Sequence, residues 1–308
     1  MNLRINFLLV VLFSFGCKKA TIDNDDSKLI NYLINATELS AIIHQKNIKI
    51  IDFRKKELYD QEHIADAIHL WRTDIENPSY PYSGMMPSAK QLENIFGSVG
   101  ISNEDTLIVY DDNGLCEAAR LWWILQNYDF KNIKMLQGGI EGWKAIQGTV
   151  TQKVPEKVTT KFTLSKNPSM KFAISKEEVL NAINKKVVIV DTRSLDEFLG
   201  KQQKKGASKA GRIPNSIHID WSEAIDFHGN QALKSTETLA EFYAKKLKVT
   251  KNDSIILYCH SGVRSAHTTF VLTQLLGYKN VKNYDGSWTE WSYFNDLPFT
   301  NDSLTTIN

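Results

Sequence analysis

Cysteine is scarce in this chain. Three occur in 308 residues, Cys17, Cys116 and Cys259, too few for a disulfide framework and at spacings that match no zinc signature. Neither a disulfide-stapled fold nor a metal centre is expected. An excess of charge of one sign is also lacking: 37 basic residues stand against 35 acidic ones, a net charge of +2, which gives no electrostatic reason to expect a nucleic-acid partner. Low-complexity tracts are missing, and 42% hydrophobic with 23% charged residues is the composition of a globular protein. A chain of this length fits two domains of ordinary size.

Long hydrophobic runs are lacking as well. The N-terminal apolar stretch, Ile5 to Phe15, follows one early positive charge at Arg4. At about 11 residues it is too short to span a bilayer as a helix and suits the core of a signal peptide. The Ser14-Phe15-Gly16-Cys17 ending resembles the lipobox of bacterial lipoproteins. That resemblance implies a signal segment over residues 1–17, lipidation of Cys17, a polar tether over 18–28, and a body held at the cell envelope, membrane-anchored and facing the periplasm or exterior.

What is present is a repeat. IKIIDFR, HIADAIHL, TLIVYDDNG and LQGGIEGW in the first half correspond to VVIVDTR, RIPNSIHI, SIILYCHSG and YDGSWTEW in the second. The spacing between copies is the same at Tyr110/Tyr258 and at Trp143/Trp291 but shorter at Asp52/Asp191. Most of the difference falls in LGKQQKKGASKAG, residues 199–211, a basic loop found only in the second copy. Loops are where insertions are tolerated. Each copy alternates short β-branched apolar runs with helical patterns, which predicts an α/β fold: two domains, each a parallel sheet flanked by helices. Ser175-Lys-Glu-Glu178 predicts a helix start. Residues 29–149 form the first domain, 150–171 a linker with a short strand near Phe162–Leu164, 172–300 the second domain, and 301–308 a tail.

Cys259 lies at the carboxyl end of the strand Ser-Ile-Ile-Leu-Tyr, where α/β proteins bind ligands beside the N-terminus of the next helix. Only residues 260–264 follow before that helix is under way, so the backbone must curl tightly, with Gly262 allowing the dihedral this needs. Successive N–H groups then converge on one spot, an anion cradle reinforced by the helix dipole. A cysteine with a pKa of about 8.5 is roughly 3% ionised at pH 7, and lowering it to about 6.5 raises that to roughly three-quarters. His260, Ser261, Arg264 and Ser265 add side-chain donors around the sulfur.

CHSGVRSA, with YDGSWTEWS downstream, DTRSLDEF and GRIPNSIHI upstream and a degenerate copy before it, resembles the tandem-domain rhodaneses, the thiosulfate and 3-mercaptopyruvate sulfurtransferases. The resemblance spans roughly residues 30–300. It implies a catalytic second domain with its site near the domain interface, and no cofactor or metal. Cys259 would take sulfur from a small-molecule donor as a persulfide and pass it to cyanide, a thiol or a protein thiol. His260, Ser261, Gly262, Val263, Arg264 and Ser265 would cradle substrate and persulfide. The first copy has Asp111 where the second has Cys259 and is expected to be non-catalytic, with Cys116 a packed thiol.

The resemblance leaves the donor open. Ser261-Gly262-Val263 matches the mercaptopyruvate type, while a dianion would gain more from Arg264 and a protonated His260, which tips the expectation toward thiosulfate. Glu197, in DTRSLDEF, stands where both types commonly carry an anion-binding arginine. Arg72 and Arg193 are candidates to supply the missing charge, as are Lys204 and Lys205. Arg193 has a second reading, because Asp191-x-Arg193 recurs as Asp52-x-Arg54 in the copy without the cysteine; a role common to both is structural. His63 is expected at the interdomain cleft or satisfied at the surface, Trp143, Trp288 and Trp291 in the core, and Trp71 and Trp221 at loops where they could line the cleft. Two rivals remain. A cysteine phosphatase or arsenate reductase would resemble C-x5-R, but here four residues separate Cys259 from Arg264. A non-enzymatic sulfur-carrier or binding module is the other.

Overall fold

The computed structural model describes residues 31–156, 158–229 and 231–302; Cys17 and the expected signal and tether segments lie outside them. The first repeat runs β1 (Leu33–Ile34), α1 (Ala36–Ile42), β2 (Ile48–Asp52), α2 (Lys56–Gln61), β3 (His63–Ile64), β4 (Ile68–His69), α3 (Ala89–Ser98), β5 (Thr106–Tyr110), α4 (Cys116–Asn127), β6 (Ile133–Leu136), α5 (Gly139–Ala145) and β7 (Val150–Thr151). The second runs β8 (Ala173–Ile174), α6 (Lys176–Ala182), β9 (Val188–Asp191), α7 (Leu195–Phe198), β10 (Ile217–His218), α8 (Thr236–Leu247), β11 (Ser254–Tyr258), α9 (Val263–Phe270), β12 (Asn280–Tyr284) and α10 (Ser287–Tyr293).

Each repeat builds a five-stranded parallel sheet, in the order β1-β6-β5-β2-β4 and, equivalently, β8-β12-β11-β9-β10. Parallel strands covered on both faces must be apolar throughout, and Ile50, Ile51, Leu107, Ile108, Val109, Ile255, Ile256 and Leu257 are all buried. The predicted helix start is present: Ser175 Oγ accepts from the Glu178 N–H while Glu178 reaches back to the Ser175 N–H.

The two repeats share one hydrophobic core, sealed where α4 meets α9. Trp122 of α4 meets Phe270 of α9 edge-on at 5.1 Å, a preferred aromatic geometry. Between the Tyr110/Tyr258 and Trp143/Trp291 positions the repeats differ by one residue in each of two places. The residue with left-handed φ that opens the helix is Leu115 in the first copy and Gly262 in the second, so the loop after Tyr110 is one residue longer than the loop after Tyr258. A π turn over Val271–Leu275 then adds one residue after α9, and the constant spacing of Tyr110/Tyr258 and Trp143/Trp291 is restored.

The strand expected near Phe162 is not formed. Residues 152–156 and 158–172 run irregularly over the first domain: the Thr160 N–H bonds Gly97 O and the Met170 N–H bonds Asn127 O. Phe162 is buried against Phe96 and Phe130. A phenylalanine docked singly into a neighbour's core imitates a strand signal in sequence. Val150–Thr151, placed at the head of the linker by sequence, pairs antiparallel with His63–Ile64 and so belongs to the first domain.

Candidate active site

Cys259 is the first residue beyond β11, and α9 begins at Val263. The turn between them closes through Gly262 at φ +73°; a Cβ there would lie 2.6 Å from Asp285 O and 2.8 Å from Arg120 Nη1, so conformation and space both demand glycine. A second turn, after β12, pins the first. Ser287 Oγ accepts from the N–H groups of Cys259 (3.1 Å) and Gly262 (3.0 Å) while donating to Tyr284 O (2.7 Å). The N–H groups of Trp288 and Thr289 bond the carbonyls of Cys259 and His260.

The sulfur is buried. Burial alone would push the Cys259 thiol up; the Arg264 guanidinium, the Ser265 hydroxyl and the N–H groups of Ser265 and Ser261 outweigh it and hold the thiol below its ordinary value. Ser265 Oγ is buried and has no hydrogen-bond partner among the described residues. Together these groups favour the thiolate form of Cys259.

The two cationic donors expected to favour a dianion are not free to do so. Arg264 is gripped by Glu197 through two hydrogen bonds, Nη1 to Oε2 at 2.7 Å and Nη2 to Oε1 at 2.9 Å. Burial would raise the Glu197 carboxyl, but Arg264 outweighs it and brings the value down to about 2. His260 is buried, its Nε2 donating to Lys205 O at 3.0 Å. Burial, with Lys204 nearby, lowers its pKa to about 4, so the imidazole is neutral at pH 7. The expectation of a protonated His260 is thereby corrected, because a buried imidazole already bonded to one carbonyl gains nothing from a second proton.

The first repeat supplies the rest of the site. Arg120 of α4 pairs with Asp285 (2.6 Å) and donates to Gly262 O (3.4 Å) and Gly84 O (2.7 Å). Asp285 Oδ2 also accepts the Met86 N–H, and Tyr82 donates to Glu290. Gly84 lies so close to the catalytic turn that a Cβ would approach Ser261 Cβ to 2.6 Å. The site thus sits at the domain interface, as expected. Arg120, Gly84, Asp285 and Ser287 were missed by the sequence reading. Only Ser287 left a local signal, Gly-Ser in the second copy against Gly-Gly in the first.

The first repeat's own loop is filled. Asp111 Oδ1 accepts the N–H groups of Asn113 and Leu115, and Oδ2 those of Glu117 and Ala118. Its carboxylate thus occupies the cradle that an external anion would use. The helix position taken by Arg264 holds Glu117 here, and Gly139 stands where Ser287 supplies its hydroxyl.

The remaining candidates are dispersed. Arg193 is buried, bidentate on Asp191, bonded to Gly211 O and packed on Trp288. Arg54 and Asp52 repeat the arrangement, so Arg193 is held in a pairing that both repeats share. Arg72 is partly exposed, 3.7 Å from Glu117 and stacked on Trp71. His63 is neither in the cleft nor at the surface: it is buried in the first domain, stacked on Tyr59 at 3.8 Å. Trp143, Trp288 and Trp291 are core residues. Cys116 packs with Trp221, Ile225 and Val263, and burial raises its thiol well above the ordinary value.

A doubled parallel α/β fold that carries a lowered thiol in an N–H cradle at one strand end has the arrangement of a cysteine-centred anion-binding loop. The chain belongs to the rhodanese family, whose rhodanese-like domain matches residues 35–146 and 175–293. It is 36% identical over 267 residues, 84% of this chain and 94% of that protein, to "Putative thiosulfate sulfurtransferase" of Mycobacterium tuberculosis. A protein of the same name from Saccharopolyspora erythraea is 35% identical over 250 residues, 79% of this chain and 86% of the relative. Among solved structures, SseA from Escherichia coli, titled as a 3-mercaptopyruvate sulfotransferase, superposes with a TM-score of 0.73 at 24% identity, covering 84% of this chain and 99% of that one. The anaerobic ergothioneine biosynthesis enzyme from Chlorobium limicola gives 0.76 at 20% identity, covering 89% and 71%. Both share the fold.

Proposed function

We propose that this protein is a sulfurtransferase that carries a sulfane sulfur from thiosulfate or 3-mercaptopyruvate, as a Cys259 persulfide, to a thiophilic acceptor such as cyanide or a thiol. The observation that carries the reading is the lowered Cys259 thiol at the centre of converging N–H groups. The thiolate attacks the donor's outer sulfur, the sulfur-to-sulfur or carbon-to-sulfur bond breaks, and sulfite or pyruvate leaves. The persulfide keeps a negative charge and uses the same cradle. Acceptor attack on its outer sulfur returns the thiolate, a ping-pong cycle. The curated relatives' names support the same reaction class. Arg264 follows Cys259 with four residues between, and its guanidinium is held by Glu197, which weighs against a phosphatase that must wrap a phosphoryl group. The first domain is non-catalytic in this reading and acts as a support for the second.

The test is intact mass after reduction and separate exposure to each donor. A gain of one sulfur, reversed by cyanide and lost in Cys259→Ser, is the expected result. No gain from either donor, with Cys259 still open to alkylation, would overturn it in favour of a binding module, and Cys259-dependent hydrolysis of an aryl phosphate would favour the phosphatase.

We also propose that Cys17 is lipidated and that the body is tethered at the envelope, on the strength of the apolar stretch Ile5–Phe15 and the Ser-Phe-Gly-Cys ending. The wild type is expected in the membrane fraction and Cys17→Ser released from it; a variant that stays membrane-bound would sink the idea.

A further inference from the structure

Glu197 and Arg264 form a pair that exists only in the catalytic repeat. Counted from the two Asp-x-Arg units, the first repeat has Leu58 in place of Glu197, and Glu117 takes the helix position of Arg264. Glu197 is 4% exposed. Its Oε2 accepts from Arg264 and from the Ser194 hydroxyl at 3.1 Å, and its Oε1 from Arg264. A buried pair is little screened by salt, so this carboxylate offsets much of the charge that the guanidinium would otherwise offer an incoming dianion. The His260 ring adds no charge at pH 7. The Cys259 thiolate is then set against the partial charge of the α9 N-terminus and the exposed Lys204 and Lys205 beside His260.

We propose that Glu197 is the specificity-determining residue for donor charge, and that it makes the site favour a monoanionic sulfane-sulfur donor over the thiosulfate dianion. The inference rests on the sulfurtransferase reading. The cleanest comparison is between thiosulfate and its monoanionic isostere, methanethiosulfonate. In both, the Cys259 thiolate forms a bond to the outer sulfur and the donor's sulfur-to-sulfur bond breaks. Its electron pair leaves on sulfite or methanesulfinate, and the persulfide keeps the thiolate's charge. A mercaptopyruvate-type donor is likewise a monoanion by virtue of its carboxylate.

The experiment measures the rate of Cys259 persulfide formation from each donor in the full chain, each rate divided by that of a free small thiol with the same donor to remove leaving-group differences. The wild type is expected to prefer methanethiosulfonate. Glu197→Gln is expected to shift the normalised ratio about tenfold toward thiosulfate, as removal of one charge at close range predicts. Glu197→Asp should keep the wild-type ratio. A purely structural role would slow both donors alike in both variants. A wild type with no normalised preference, or an unchanged ratio in Glu197→Gln, overturns the inference and leaves sulfur transfer standing. Should Glu197→Gln fail to fold, the wild-type ratio decides. No sulfur from any donor overturns the reading beneath it as well.

Discussion

Arg120 of the first repeat closes to 2.6 Å on Asp285 of the second and at the same time donates to the carbonyl of Gly262, the residue on which the catalytic turn pivots. The first repeat therefore helps hold the Cys259 turn of the second. Arg120→Met leaves Asp285 buried without its cation, a change that costs about 3–5 kcal/mol. Chemical denaturation should show that loss, together with slower sulfur loading at Cys259. An Arg120→Met protein as stable and as fast as the wild type would remove the first repeat from the site.

Ser287 has φ +48° and one hydroxyl serving two N–H groups of the catalytic turn. Ser287→Ala should cost about 1–3 kcal/mol for each N–H left unsatisfied, and it keeps the strain that serine already bears at positive φ. Ser287→Gly relieves the strain without restoring the hydroxyl. The expectation is a higher melting temperature for the glycine variant than for the alanine variant, with loading depressed to the same degree in both.

Asp111→Cys should not create a second sulfur carrier. Glu117 and Gly139 still stand where the catalytic repeat has Arg264 and Ser287, so intact mass should rise by one sulfur, not two. Cys116 and Cys259 are equally buried, but burial drives the Cys116 thiol up while the Cys259 thiol is held down, so alkylation at pH 7 in the native protein should be faster at Cys259 than at Cys116.

His267 is buried on α9 against Trp221, and burial lowers its pKa from 6.5 to about 4. Between these values the unfolded chain binds a proton that the folded chain refuses, so stability is complete above pH 6.5 and declines as pH falls toward 4. His260 adds to the same trend, and Glu117, raised to about 7, opposes it. Comparison with His267→Phe isolates one group: the wild type should lose up to about 3 kcal/mol relative to the variant over this window. Parallel pH curves would contradict the assignment.

Much of this protein was legible in one dimension. Strand and helix periods, the Ser175 capping box and the repeat of Asp-x-Arg follow from local chemistry, and the duplication supplied an internal control that marked Cys259 and its turn as the departure. Local backbone geometry explains why the cysteine loop could be read: a tight turn at a strand end needs glycine at one position, and its N–H groups converge whatever surrounds it.

The charge of the site could not be read that way. Glu197 and Arg264 stand far apart in sequence, as do Arg120 and Asp285, and nothing local states that either pair meets. Whether an arginine offers its charge to a donor or spends it on a buried carboxylate depends on which side chain the fold packs against it. His260 lost its proton for the same reason, through burial under a loop that sequence could only flag as an insertion. Sequence by itself determined the fold, the duplication and the tight turn at Cys259, because these rest on short-range patterns; the tertiary structure decided the electrostatics, because low-dielectric burial and long-range contacts set them.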